Sequence, residues 1–369
     1  MAHLKEIAQT FFKLGTIAFG GPAAHIAMME DEIIEKKKWF SRQHFLDLIG
    51  VTNLIPGPNS TEMTMHCGYE RGGWKGLIVA GSAFILPAVV ITCIIAYLYQ
   101  KYGTLPGADS FLYGIKAAVI SVILNAVYKL GKKSLKSTTL AILGLLTIIA
   151  SLLGYHEILV MFICGLMGII IYYFQKPGAS KLNSLITMPL FFQQIRVEEI
   201  KIFLIFLKVG ALLYGSGYVL FAFLDAELVA KGLMSRQELM DAIAVGQMTP
   251  GPVLSTASFI GWQLGGLKGA ILATVGIFVP SFVFVRLINS AVRVIRKSPI
   301  LSAFLDAVNI AAVGVILAVC IEMGIEVLVE WKSILISVLS IIIVFYYKKV
   351  NSAFIIIGGS LLGYLLSFI

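Results

Sequence analysis

The chain has 369 residues, of which 58% are hydrophobic and 13% charged, and a mean hydropathy of +0.91. A soluble protein carries about 25% charged residues, and no polar stretch here exceeds about 30 residues, short of a domain's usual size. A soluble domain is therefore excluded and an all-α polytopic membrane protein is expected. The net charge of +9 is accounted for by basic loops facing the cytoplasm, so no nucleic-acid partner is expected.

Apolar elements are expected at about residues 4–27, 44–69, 74–99, 108–130, 138–153 and 158–174, and the order repeats from about residue 201. This divides the chain into a first half, 1–175, a short polar linker, 176–200, with Lys176, Lys181 and Arg196, and a second half, 201–369. Cys67, Cys93, Cys164 and Cys320 lie in or beside apolar segments without a CxxC, and they read as packing residues rather than as a metal or disulfide framework. Residues 1–9 lack the order of a cleavable signal peptide.

Set against itself at an offset of about 194, the chain matches repeatedly. FFKLGTIAFGG (11–21) meets FLKVGALLYGS (206–216), and SRQHFLD (41–47) meets SRQELMD (235–241). Pro56-Gly57-Pro58 meets Pro250-Gly251-Pro252, Gly72-Gly73 meets Gly265-Gly266, and Pro87 meets Pro280. A duplicated half is how many secondary transporters are built.

The basic loops predict the topology. Lys129, Lys132, Lys133 and Lys136 mark one cytoplasmic loop. Lys36, Lys37, Lys38 and Arg42 precede the element at 44–69, and Arg71 and Lys75 follow it. Both loops share a face only where that element turns back on itself. Each half then has five crossings and one hairpin, and an odd number inverts the second half. The expected fold is an inverted-topology tandem repeat of about ten transmembrane helices plus two re-entrant helical hairpins, with a cytoplasmic linker. Arg286, Arg293, Arg296 and Lys297 inside, Glu322, Glu326 and Glu330 outside, and Lys348 and Lys349 inside agree with that inversion.

The chemistry gathers at the two Pro-Gly-Pro breaks. Proline cannot continue a helix, and irregular backbone at membrane depth survives only where protein buries it or where it lines a cavity. A new half-helix beyond Gly57 or Gly251 offers free amides and a positive dipole end, which suits an anion. Asn59, Ser60 and Thr61, with Ser255 and Thr256 in the second half, either cap these half-helices or face the anion. Lys13 and Lys208, at equivalent positions within apolar elements, either neutralise a dianion or snorkel to the interface. Glu62, whose counterpart is Thr256, either completes a capping box with Asn59 or carries a proton that couples transport to the proton gradient. Gly20, Gly21 and the glycines around Gly210 permit close helix packing and can also bare backbone to the site. Lys116, Asp306 and Asn309 are secondary candidates. His25, His66 and His156 lack metal-ligand spacing, so no metal is expected, and Glu30, Asp31, Glu32, Asp225 and Glu227 read as solvated or ion-paired.

FKLGTIAFGGP (12–22), Trp39-Phe40-Ser41, PGPNST (56–61) and TPGPVLST (249–256) together resemble the chromate ion transporter family in its form with two homologous halves. The resemblance implies an inner-membrane exporter of chromate, reliant on the proton motive force, that confers chromate resistance. It implies motif roles for Phe19, Gly20, Gly21, Pro22 and residues 56–61. The second-half counterpart of FGGP is Tyr214-Gly215-Ser216-Gly217, a departure from the motif. The alternatives are a transporter of sulfate or another oxyanion, an anion channel, and a redox enzyme. No Walker A motif and no haem, flavin or iron–sulfur ligand set is present, so no cofactor and no enzyme activity are expected. The expected partners are a small oxyanion and the lipid bilayer, with a homodimer left open.

Overall fold

The computed structural model describes residues 2–19, 22–52, 55–102, 108–175, 198–213, 219–295, 299–347 and 350–368. Gly20, Gly21, Tyr214, Gly215, Ser216, Gly217, Arg296, Lys297, Lys348, Lys349 and most of the linker lie outside the described residues. Every regular element among the described residues is helical.

In the first half these are α1 (Ala2–Ile17), α2 (Pro22–Met29) with a π-helical continuation Glu30–Lys36, α3 (Arg42–Thr52), α4 (Asn59–Tyr102), α5 (Ala108–Ser134), α6 (Thr138–Leu152) and α7 (Glu157–Gln175). The second half repeats the series with α8 (Glu198–Leu212), α9 (Val219–Leu224) with a π-helical continuation Asp225–Val229, α10 (Arg236–Met248), α11 (Thr256–Ile295), α12 (Pro299–Val327), α13 (Trp331–Tyr346) and α14 (Ser352–Leu366). A 3-10 turn, Val253–Ser255, leads into α11. Five helices are long and apolar enough to cross a membrane, in α4, α5, α7, α11 and α12, and α6, α13 and α14 are shorter apolar helices.

The segment expected as one element at 4–27 is two helices, because Pro22 opens α2 as a first-turn residue and the chain between is non-helical at Ala18 and Phe19. Its start meets the chain that follows it. Glu6, near the start of α1, accepts hydrogen bonds from Trp39 Nε1 at 3.0 Å and from an Arg71 terminal nitrogen at 3.3 Å, and pairs with Lys37 at 3.6 Å. His44 and Glu70, at the two ends of the broken element, are 3.2 Å apart.

Two glycine pairs reverse the chain inside α4 and α11. Gly73 has φ 61° and Gly266 φ 58°, a backbone region that glycine enters without a Cβ penalty. The limbs on either side then pack together, Gly68 against Gly76 and Ala80, and Gly261 against Gly269 and Ala273. Beside each long limb runs the first helix of its half: Gly15 abuts the Phe84 backbone, and Gly210 abuts that of Ile277. The long limbs of α4 and α11 run in opposite senses. The Arg286 guanidinium lies 6.0 Å over the Tyr69 ring, near the first reversal. At the second reversal, Trp262 Nε1 donates to Gln100 Oε1 at 3.0 Å.

The remaining helices interleave the halves. Gly114 packs on Gly359 and Gly363, Gly168 on Ala303 and Ala307, and Gly144 on Ile310. The Ser337 hydroxyl donates to the Ala117 carbonyl at 2.5 Å. Small residues permit such close backbone approach where no water drives helices together.

Candidate functional site

The two breaks sit deep in the protein. Gly57, Pro58, Pro250, Gly251 and Pro252 are all buried. Gly57 has φ 143° and Gly251 φ 92°, so both occupy backbone that an L side chain rarely adopts. Each glycine amide bonds to the opposite half. Gly57 N–H donates to the Leu213 carbonyl at 2.5 Å, and Gly251 N–H donates to the Ala18 carbonyl at 2.8 Å. Ala18 and Leu213 follow α1 and α8, at repeat-related positions, where a helix end leaves its carbonyls without partners. One half's break thus satisfies the other half's broken helix.

Each break also meets a hydroxyl from the other half. A Cβ on Gly57 would fall on the Glu62 carboxyl and 2.8 Å from Ser281 Oγ, so both groups crowd that α-carbon. Ser255 Oγ lies 3.3 Å from Thr92 Oγ1. Glu62 is fully buried and has no ion-pair partner among the described residues. Burying a carboxylate without a counter-charge is costly, which singles out Glu62 at this break. The Pro58 carbonyl accepts the Thr61 amide at 2.8 Å and the Glu62 amide at 3.1 Å. Asn59 is therefore the first helical residue rather than the cap, and Glu62 turns to Gly57 and Ser281 instead of closing a capping box.

The other expected groups divide by partner. Ser60 Oγ is 3.2 Å from His25 Nδ1. Thr61 is buried, and its hydroxyl has no hydrogen-bond partner among the described residues. Thr256 returns its hydroxyl to the Val253 carbonyl at 2.8 Å, which anchors the 3-10 turn. Lys13 and Lys208 are both ion-paired, to Glu32 at 3.1 Å and to Glu227 at 2.5 Å. Glu227 also holds Lys231 in a short ion pair and lies 3.5 Å from His156. The lysine charges are thus tied to the π-helical turns in this conformation. Gly20 and Gly21 lie outside the described residues.

Three contributors were not singled out by sequence: Ser281, Thr92 and His25 as a contact of Ser60. His25 is buried and its ring meets Phe84 edge-on at 5.7 Å between centroids. A histidine inside an otherwise apolar stretch is the signal that marks it. Ser281 follows Pro280 on the long limb of α11, and its repeat position is Ala88, so symmetry gives no warning of it. Among the described residues no cluster of His, Cys, Asp and Glu is arranged to hold a metal ion.

The arrangement gathers broken backbone, hydroxyls and one buried carboxyl group from both halves at a single centre. The chain is similar along nearly its whole length to known transport proteins. It is 28% identical to the chromate transport protein of Cupriavidus metallidurans, covering 98% of this chain and 92% of that protein. It is 30% identical to a probable chromate transport protein of Synechococcus elongatus, covering 92% and 89%. An uncharacterized transporter of Methanocaldococcus jannaschii is 28% identical over 98% of this chain and 94% of its own length. No solved structure matches. The family profile described as chromate transporter matches twice, at residues 5–169 and 200–364, one match per half. The chain belongs to the chromate transporter family and is a multi-pass membrane transporter, not an enzyme.

Proposed function

We propose that this protein exports chromate, a tetrahedral oxyanion dianion, across the inner membrane, driven by the membrane potential and the proton gradient. The observation that carries the proposal is the reciprocal pair of hydrogen bonds from Gly57 to Leu213 and from Gly251 to Ala18. They bind the two breaks, one from each half, into a single buried centre. Asn59, Ser60, Thr61, Ser255 and Thr256 form the anion site, and the Gly57 and Gly251 amides join it when they leave the Leu213 and Ala18 carbonyls. Gly20 and Gly21, outside the described residues, belong to the same expected site, and Glu62 carries the coupled proton. Lys13 and Lys208 contribute positive charge at its edge. An ammonium already paired to a carboxylate is a weaker anion ligand, and the Gly57 and Gly251 amides and the Thr256 hydroxyl are likewise engaged, so the Thr61 hydroxyl, which has no partner among the described residues, ranks first.

The halves are inserted in opposite senses and rock about the centre. The opposed long limbs of α4 and α11 support this. The gathering of Glu6, Lys37, Trp39 and Arg71 supports two half-depth hairpins per half, α1–α2 and α3 with the first limb of α4. The crossings are then α4 to α7 and α11 to α14, eight rather than ten. Gly168 against Ala303 supports an α7 that ends at the lysine-rich face, and a Gly265 Cβ 3.2 Å from Ile202 supports an α8 that starts at the other. On this reading the ends that the linker joins lie on opposite faces, and a cytoplasmic placement is proposed for its α7 end.

With the interior negative, moving a dianion outward gains about 4.6 kcal/mol per 100 mV, which supports a gradient of about 10³. Flux in proteoliposomes under imposed voltage and pH gradients tests the proposal. Chromate movement that follows both gradients is expected. Conductance without proton coupling would make the protein a channel, and sulfate moving while chromate does not would reassign the cargo.

A further inference from the structure

A cleft of about 850 Å³ opens between the halves, away from the breaks. Its lining includes Lys116, Asp241, Tyr99, Glu238, Glu326 and Glu330. Asp241 is 3% exposed, and its carboxylate accepts the Tyr99 hydroxyl at 2.7 Å and pairs with Lys116 Nζ at 3.4 Å. Tyr99 and Lys116 come from the first half and Asp241 from the second, so the cluster is closed only where the halves meet. Lys116 is the one basic side chain among the described lining residues. Asp241 stands on α10 eight residues before Thr249, about 12 Å along the helix from the second break. The repeat position of Lys116 is Asn309, so the second half lacks the lysine needed for an equivalent cluster.

We propose that Lys116 is a transient subsite for the transported dianion, held in reserve by Asp241, an assignment that rests on the oxyanion-transport reading above. Paired, Lys116 and Asp241 are neutral together and close the floor of the cleft. A dianion coming from the breaks competes with the Asp241 carboxylate for the ammonium. Once it has displaced Asp241, the anion shares the cleft with the carboxylates of Asp241, Glu238 and Glu330 and with Glu326, whose charge Arg236 offsets from 4.0 Å. Like charges at this range are poorly screened within a cleft, so occupancy is brief and the anion leaves toward solvent. A conducting site has to bind well enough to admit the ion and weakly enough to release it. One lysine in a cleft whose lining carries an excess of carboxylates has that balance, and it makes this the discharging face.

The test uses the full-length protein, in proteoliposomes for flux and in detergent for a chromate-induced shift in Tm. Asp241→Asn frees Lys116, so half-saturation falls about fivefold, the size of a partly exposed charge pair, turnover slows, and the chromate-induced Tm shift grows. Lys116→Gln raises half-saturation and shrinks that shift. The exchanged pair K116D/D241K rebuilds the ion pair and the unliganded Tm but not the wild-type kinetics. Equal losses of Tm and rate in both single variants, with half-saturation unchanged and both properties restored by the exchange, would overturn the subsite and leave a structural ion pair. Wild-type protein that carries no oxyanion, yet shows the same opposite changes in Tm shift, would keep the subsite and remove the transport reading.

Discussion

Gly57 of the first half and Leu213 of the second are joined by a backbone hydrogen bond of 2.5 Å, and Gly251 and Ala18 repeat it in reverse at 2.8 Å. This reciprocity makes the centre a property of both halves at once. A side chain at either glycine is opposed by backbone conformation and by space. At Gly251 a Cβ would lie 2.8 Å from Ala88 Cβ and 3.2 Å from the Gly15 carbonyl oxygen. Gly251→Ala is expected to cost about 1–3 kcal/mol of strain and to reduce chromate flux at least tenfold. Thermal unfolding in detergent and flux in proteoliposomes check the two effects separately.

Glu62→Gln keeps the shape of the side chain and removes its titratable proton. Among the described residues, Ser281, which does not titrate in this range, crowds the same α-carbon, and His66, one turn further along α4, is buried without a hydrogen-bond partner. Flux in the variant is expected to follow voltage but no longer a pH gradient. Flux that still follows an imposed pH gradient in Glu62→Gln, but loses that dependence in His66→Gln, would move the coupling role to the histidine.

Much of the centre was legible because proline and glycine act locally. Pro56-Gly57-Pro58 and Pro250-Gly251-Pro252 announce their breaks without any tertiary information. Pro22 signals a break near the end of the 4–27 element in the same way, but the apolar run continues through it, and hydropathy does not register a change of direction. Gly72-Gly73 and Gly265-Gly266 were visible as a repeated motif, but that they reverse the chain depends on φ values that sequence does not carry. The partners of Lys13 and Lys208 were obscured for a similar reason. Glu32 and Glu227 lie 19 residues further on, and only the return of α2 and α9 with their π-helical turns brings them back.

Those two ion pairs differ in burial, and their stabilities should differ with it. The Glu227 side chain is 2% exposed and serves Lys208 and Lys231, whereas Lys13, the partner of Glu32, is 57% exposed. Glu227→Gln leaves ammonium groups uncompensated and is expected to cost about 2 kcal/mol, below the roughly 3–5 of a fully buried pair because Lys231 is partly solvated. Glu32→Gln is expected to cost at most about 1 kcal/mol. Denaturant or thermal unfolding of the two variants side by side checks the ordering. Equal costs would mean that Glu227 is solvated in the membrane-bound protein.

The charge distribution allows a direct test of the inserted orientation. Lys133 stands near the end of α5, and Arg286 lies by Tyr69 at the first chain reversal. Gln237 and Glu330 line the cleft near the second reversal. Basic residues crowd the first pair of positions and acidic residues the second, so the first pair is expected inside. In a background with the four native cysteines replaced, single cysteines at 237 and 330 should react with an impermeant maleimide from outside intact cells. Cysteines at 133 and 286 should react only after the membrane is opened. Reaction of positions 133 and 286 from opposite faces would restore a parallel arrangement of the halves, and the two breaks could then no longer approach one centre from opposite leaflets.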